Sequence, residues 1–292
     1  MNIKLSLSDA LLHGIMLLAI LLLIGCNDVE DIDTLTFIPK YQNTPLKCSS
    51  SFNHQGKTWQ YSQLQFFISE IEVKNSDGQW QTWPLLENKH QTSGVALLGE
   101  YCQTSKLKHQ LKQENWQLLF EQAIDVKTFS QLRFTLGVPF VLNHQNPLLQ
   151  PSPLNVPNMF WVWQTGHKFF RLDMKEVNEV KQKDNWQFHL GSTGCKAPSA
   201  LRTPKVPCRN GNQTKIILDI KESSKENSLE SIDVNLEQLF SGLMITRKNS
   251  CQSEFNNKSC LALFKNIGLV TSPSQDLFKL TKITEPESMS PN

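Results

Sequence analysis

The stretch LQFFISEIEV, residues 64–73, decides the fold class. It is rich in aromatic and β-branched residues, which suit a pleated, half-buried surface. NSDG follows at 75–78, and apolar character returns over 79–83. Asp77-Gly78 supplies the positive φ that a tight hairpin turn requires. Further along, residues 132–138, 186–190, 215–220 and 231–234 are strand candidates of the same kind. Helical signals are short: 106–112, 236–240 behind Asn235 as an N-cap, and 261–266. Many strands with turns between them and no long helix predict an all-β, sandwich-like domain with a few short helices.

The chain has 292 residues, with 29 Lys+Arg against 27 Asp+Glu for a net charge of +2. At 39% hydrophobic and 19% charged residues it has the composition of a globular core. That excludes a largely disordered chain, and the charge balance excludes a strongly basic nucleic-acid binder. Residues 15–24 form an unbroken apolar run, shorter than the ~20 residues of a transmembrane helix but fitting a signal h-region. Leu23-Ile24-Gly25-Cys26 follows and resembles a bacterial lipobox, in which Cys26 is lipidated. Asn27 after it resembles an outer-membrane sorting signal. The expected organisation is a lipoprotein signal peptide at 1–25, a tether at 26–45, one β-rich domain at 46–280 and a polar tail at 281–292, with polar, Pro-containing sequence from Ser272 onward. The expected location is the outer membrane, facing the periplasm or the cell surface.

Seven cysteines are an odd count, and lipidation of Cys26 leaves six. An even number in an exported protein reads as a disulfide framework. Short spacings favour Cys195 with Cys208 and Cys251 with Cys260, leaving Cys48 with Cys102, although six cysteines allow other connectivities. No Cys-x-x-Cys, Gly-x-Ser-x-Gly or His-Glu-x-x-His occurs, so zinc-ribbon, thioredoxin-like and hydrolase chemistry lack their motifs.

Residues 142–195 differ from the rest, holding three histidines and three of the seven tryptophans. His144 lies shortly before Pro147, and His189 ends a predicted strand that runs into a Gly-rich turn and Cys195. Two imidazoles on rigid β elements can form a metal site, and imidazole suits Zn, Cu, Fe and Ni. His167 stands beside Lys168, whose charge disfavours a cation. On a strand, Trp161 and Trp163 would share one face, as a core pair, a sugar-stacking platform or a redox-active indole pair. Arg171 and Asp173 alternate onto one face as an ion pair or hydrogen-bond anchor.

Taken in order, Asn143-His144-x-x-Pro147, Ser152-Pro153-Leu154-Asn155, Met159-x-Trp161-x-Trp163-Gln164-x-Gly166-x-Lys168-Phe169-x-Arg171-x-Asp173 and His189-Leu190-Gly191-Ser192-Thr193-Gly194-Cys195 resemble the MbnP-like copper-binding family. That family is also described as the four-cysteine member of a metallo-mystery pair. The four cysteines correspond to Cys195, Cys208, Cys251 and Cys260, and residues 63–69 resemble the family's first core strand, so the likeness spans roughly 46–270. The resemblance implies a periplasm-facing protein that binds copper and has no catalysis of its own. His144 and His189 become the leading ligands, with His167 a third candidate. Trp161 or Trp163 would be oxidised to kynurenine by a di-haem cytochrome c peroxidase-like partner. Two departures stand out: Asn146 replaces a common Asp, and His167 replaces a frequent Tyr. The competing expectation, from the exposed-Trp reading, is a carbohydrate-binding or adhesion lipoprotein.

Overall fold

The computed structural model describes residues 34–102, 114–124, 128–177, 185–220, 231–270 and 276–281. The signal peptide, Cys26, the predicted helix at 106–112 and residues 282–292 lie outside them. The nine longer strands are β1 (Thr34–Tyr41), β2 (Lys57–Asn75), β3 (Val95–Tyr101), β4 (Phe129–Leu136), β5 (Lys168–Glu176), β6 (Asn185–Gly191), β7 (Thr214–Asp219), β8 (Ser231–Asn235) and β9 (Phe278–Thr281).

β2 is the spine of the larger sheet, and all its pairings are antiparallel. Its early part pairs with β5 (Trp59 opposite Glu176 to Phe66 opposite Phe170), its middle with β3 (Gln63 opposite Tyr101 to Ser69 opposite Val95), and its end with β4 (Ile68 opposite Leu136 to Asn75 opposite Phe129). β6 pairs with β5 and β7 with β4. The predicted hairpin is present: Asn75 accepts from Gly78 N–H, and Trp80–Thr82 returns along Glu72–Lys74. What the residue types do not announce is a break inside β2. Glu70 has φ +51°, and the register against β4 shifts between Arg133 and Thr135. An extra residue of this kind bends a strand and increases its twist, which lets one long strand serve several partners.

The smaller sheet runs β9-β8-β1, with β1 and β8 parallel and β8 and β9 antiparallel. Here the expected boundaries are corrected. Of the supposed tether at 26–45, Thr34–Tyr41 is a strand with alternating burial. Leu35, Phe37 and Tyr41 enter the core because β8 supplies a partner almost two hundred residues later. Likewise the polar sequence after Ser272 contains β9, anchored by buried Leu277 and Phe278. Phe37 joins the layers, its ring centre 5.9 Å from Phe66, 6.0 Å from Phe134 and 6.3 Å from Phe278, all edge-on. Such aromatic contacts dominate core energetics.

Burial along β2 is continuous from Gln63 to Ser69, which requires cover on both faces. Leu64, Phe66 and Ile68 meet the sandwich core. The opposite face carries Gln63, Gln65, Phe67 and Ser69, and the segment 137–167 lies over it: Phe67 meets His167 edge-on at 5.3 Å, Gln63 Nε2 reaches Met159 Sδ at 3.7 Å, and Ser69 Oγ donates to the Gly137 carbonyl.

The three disulfides are Cys48–Cys102, Cys195–Cys208 and Cys251–Cys260, as the spacings favoured. The first closes 54 residues, a loop long enough to restrict the unfolded chain by about 4 kcal/mol in the chain-entropy account. Asn235 caps the helical turn α1 (Leu236–Leu239), and Asn257 caps α2 (Lys258–Asn266), each through its side-chain oxygen. Cys260 on α2 ties that helix to Cys251, which hydrogen-bonds along β6 through Gln187 and His189.

Candidate metal centre

The covering segment and the end of β6 build the site. After Pro139, a single helical turn (Phe140–Asn143) delivers Asn143 and His144 inward, and both are buried. Asn143 is the organiser. Its Oδ1 accepts from the His167 backbone N–H at 2.7 Å, and its amide nitrogen is 3.2 Å from His144 Nε2 and 3.4 Å from Ser192 Oγ. His144 Nδ1 is 3.1 Å from the Trp163 carbonyl oxygen. A carbonyl only accepts, so Nδ1 carries the proton and Nε2 is the unprotonated nitrogen, whose lone pair accepts from the Asn143 amide. Burial pulls this imidazole below the ordinary histidine range, against the opposing effect of the Trp163 bond, so the neutral, ligating form prevails.

His189 lies directly across from Arg171 in the β5–β6 register. Its Nε2 is 2.6 Å from Asp173 Oδ1, while Arg171 holds the other carboxylate oxygen, with Nη2 at 2.6 Å. Burial alone would raise the Asp173 pKa, but His189 and Arg171 outweigh it and hold the carboxyl below its usual value. With Nε2–H donating to a carboxylate, Nδ1 of His189 is the nitrogen left to ligate. That is the carboxylate–histidine arrangement that orients many metal ligands.

Between the two histidines runs the Trp-x-Trp segment, and it is a turn. The conditional strand reading is corrected: Phe160 bridges His167, Trp161 N–H donates to Gly166, and Gly166 (φ +78°) donates back to Val162. The glycine's positive φ closes this turn, so the two indoles do not share a face by strand alternation. The Trp161 ring lies on Gly191, where an added Cβ would come within 2.5 Å of it. Gly191 is two residues from His189 along the same face of β6. Trp163 contributes its carbonyl to His144. Gln164 Nε2 and N–H bind the Cys195 and Ala200 carbonyls, fastening the turn to the loop closed by Cys195–Cys208.

His167 is placed differently from the other two. It is fully buried, with Nε2 2.9 Å from the Leu154 carbonyl and Nδ1 3.2 Å from the Asn143 carbonyl. Burial draws its pKa down to about 4. Its nitrogens face carbonyl oxygens, so it acts here as a strut between two turns of the cover.

A family model for MbnP matches residues 30–253. The chain belongs to the MbnP family. In fold it is similar to MbnP from Methylosinus trichosporium, with a TM-score of 0.69 and 20% identity, over 85% of this chain and 96% of that one. No curated protein matches it in sequence.

Several contributors to this MbnP-family site were not singled out from sequence. Asn158 accepts Lys168 Nζ at 2.9 Å and Arg171 Nη1 at 2.5 Å on its backbone carbonyl. Burial lowers the Lys168 pKa to about 8, and its ammonium lies 6.0 Å from the Trp161 ring centre. Gln63 sits opposite Asp173. Gln63 Oε1 and Asn158 Oδ1 are buried acceptors without a hydrogen-bond partner, on either side of Met159. The only sequence signal for them was polarity, Gln63 and Gln65 at alternate positions of an otherwise apolar strand. Among the described residues, the groups of three or more donor atoms that lie within 4.8 Å of one another include His144 but not His189. The imidazoles of His144 and His189 and the Met159 thioether are nonetheless donor types that suit a soft or borderline transition metal such as copper.

Proposed function

We propose that this protein is a lipid-anchored, periplasm-facing copper-binding protein that acts in copper acquisition or handling and carries out no reaction of its own. The observation that carries the reading is a pair of oriented imidazoles in a chain of the MbnP family: His144, bonded through Nδ1 to the Trp163 carbonyl, and His189, two residues before the Gly191 that the Trp161 ring covers. His144 would bind through Nε2 and His189 through Nδ1. The asymmetry of the two indoles bears on the oxidation expected of this turn. Trp161 is pressed onto Gly191 and faces the Lys168 ammonium, which opposes the positive hole left by one-electron oxidation. Trp163 is therefore the residue expected to become kynurenine when a di-haem peroxidase-like partner acts on the protein. A sugar platform is less well supported, because one face of Trp161 is already covered.

Copper titration of the mature, oxidised protein against a chromophoric chelator tests the reading. The expected result is tight binding that is lost in His144→Gln. Asp173→Asn, which keeps the shape but removes the charge behind His189, should weaken binding about 10- to 100-fold, the usual effect of a changed outer-shell partner. Peptide mass spectrometry after co-expression with the partner should find the modification on Trp163. A protein that binds no copper and keeps all tryptophans intact would sink the proposal.

A further inference from the structure

A ring nitrogen of His144 and the sulfurs of Cys195 and Cys208 lie within 4.8 Å of one another. As bonded, the two sulfurs are not thiolates and hold no metal. The geometry nonetheless matches a ligand set. A tetrahedral ion with bonds of about 2.3 Å to sulfur and about 2.0 Å to nitrogen keeps those ligands roughly 3.6 Å apart, and Cys208 Sγ is 3.5 Å from His144 Nε2. The nitrogen facing the sulfur is the one with the lone pair, because Nδ1 is committed to Trp163. Thr203 Oγ donates to the His144 carbonyl at 2.8 Å, and Gln164 grips the Cys195 carbonyl. These bonds tie the 195–208 loop to His144 and Cys195 to the Trp163 turn, and the Arg209 N–H donates to the Gly194 carbonyl beside the S–S bond. Cys208 is partly exposed, on a loop whose residues 205–207 and 209 are open to solvent, so a reductant can reach it.

We propose that Cys195–Cys208 is a redox latch, and that its reduction creates a Cys2His site for a thiolate-preferring d10 cation, Cu+ or Zn2+, with Cys195, Cys208 and His144 Nε2 as ligands. A dithiol reductant breaks the S–S bond and is itself oxidised to a disulfide, its two electrons and two protons forming two thiols. Metal binding then displaces both protons, giving two metal–sulfur bonds and one metal–nitrogen bond. Re-oxidation by a small-molecule disulfide passes two electrons from the thiolates to that disulfide, which takes up two protons from solvent and leaves as a dithiol, while the Cys195–Cys208 bond re-forms and the cation is released. The inference shares His144 with the copper reading above but concerns the reduced chain.

The test uses the mature chain, oxidised and after treatment with a phosphine reductant, titrated in separate arms with Cu+ and Zn2+ against chromophoric chelators. Reduced wild-type protein should bind one equivalent more than reduced Cys195→Ser/Cys208→Ser, with a near-ultraviolet thiolate-to-metal band that His144→Gln weakens together with a loss of affinity of about tenfold or more. Cys251→Ser/Cys260→Ser accounts for the other cysteine pair beside a carboxylate and should leave that equivalent in place. Equal binding by the Cys195→Ser/Cys208→Ser variant overturns the proposal. So does a reduced chain that loses its β-sheet circular dichroism, since the site requires the fold. Failure of the oxidised chain to bind copper would remove the earlier reading and leave this one standing.

Discussion

Gly99→Ala is expected to abolish cooperative folding. Gly99 lies in β3 opposite Gln65, with φ +108°. A Cβ built there would stand 2.0 Å from the Leu64 carbonyl oxygen and 2.7 Å from Gln65 Cα. Both atoms belong to the backbone of β2, which is paired on its other edge and buried on both faces, so neither can retreat. The residue would also have to hold a φ that L-amino acids rarely adopt. Steric overlap and backbone strain at a central strand place the cost beyond the 4–5 kcal/mol that marks the most damaging substitutions, a large part of the stability of a domain this size. Circular dichroism during urea titration should show no native baseline. Gly94→Ala separates the two causes: it has φ +71° but nothing within 4 Å of the added carbon, so only the left-handed strain of about 1–2 kcal/mol remains. A Gly99→Ala protein that unfolds at nearly the wild-type urea concentration would show that β2 and β3 can separate without loss.

Local physics made the hairpin and one helix cap readable. Asp77-Gly78 and Asn235 act within a few residues of themselves, so their types suffice to place them. The edges of the sandwich were hidden because they depend on distant partners. β1 follows the acidic, polar stretch 27–33, and only the parallel neighbour β8 makes Leu35 and Phe37 core residues. β9 has two apolar anchors, too few for a pattern. The site divides the same way. His144, His189, Arg171 and Asp173 were visible as residue types at suggestive positions, and the Arg171–Asp173 pair forms as expected. Their working partners were not visible. Asp173 reaches His189 diagonally across two strands, and Cys208 meets His144 over a separation of 64 residues. Asn143, adjacent to His144, organises both His144 and His167, yet nothing in its type distinguishes it from the other loop asparagines.

Acid should destabilise the domain in a window set by its buried histidines, and His167 should dominate. Burial lowers its pKa from 6.5 to about 4, with the Leu154 and Asn143 carbonyls pulling the other way. The folded state therefore binds fewer protons than the unfolded state wherever the pH lies between those values. Its contribution is intact above about 6.5 and is lost as the pH falls toward 4. At 1.36 kcal/mol per unit, the full loss is roughly 3 kcal/mol. His144, also lowered by burial, acts in the same direction. Asp173 behaves differently: its depressed pKa supports the fold above the unfolded carboxylate value and is lost only on further acidification, through the folded value. Urea unfolding at successive pH values between 7 and 4 should thus fall steeply for wild type. His167→Gln removes the titrating group while keeping an amide that can donate to the Leu154 carbonyl. It should start lower at pH 7, because a close-packed ring contact with Phe67 and Phe160 is lost, and then decline by roughly 3 kcal/mol less across the window. If the two proteins decline in parallel, the acid sensitivity belongs elsewhere and His167 is not held neutral in the fold.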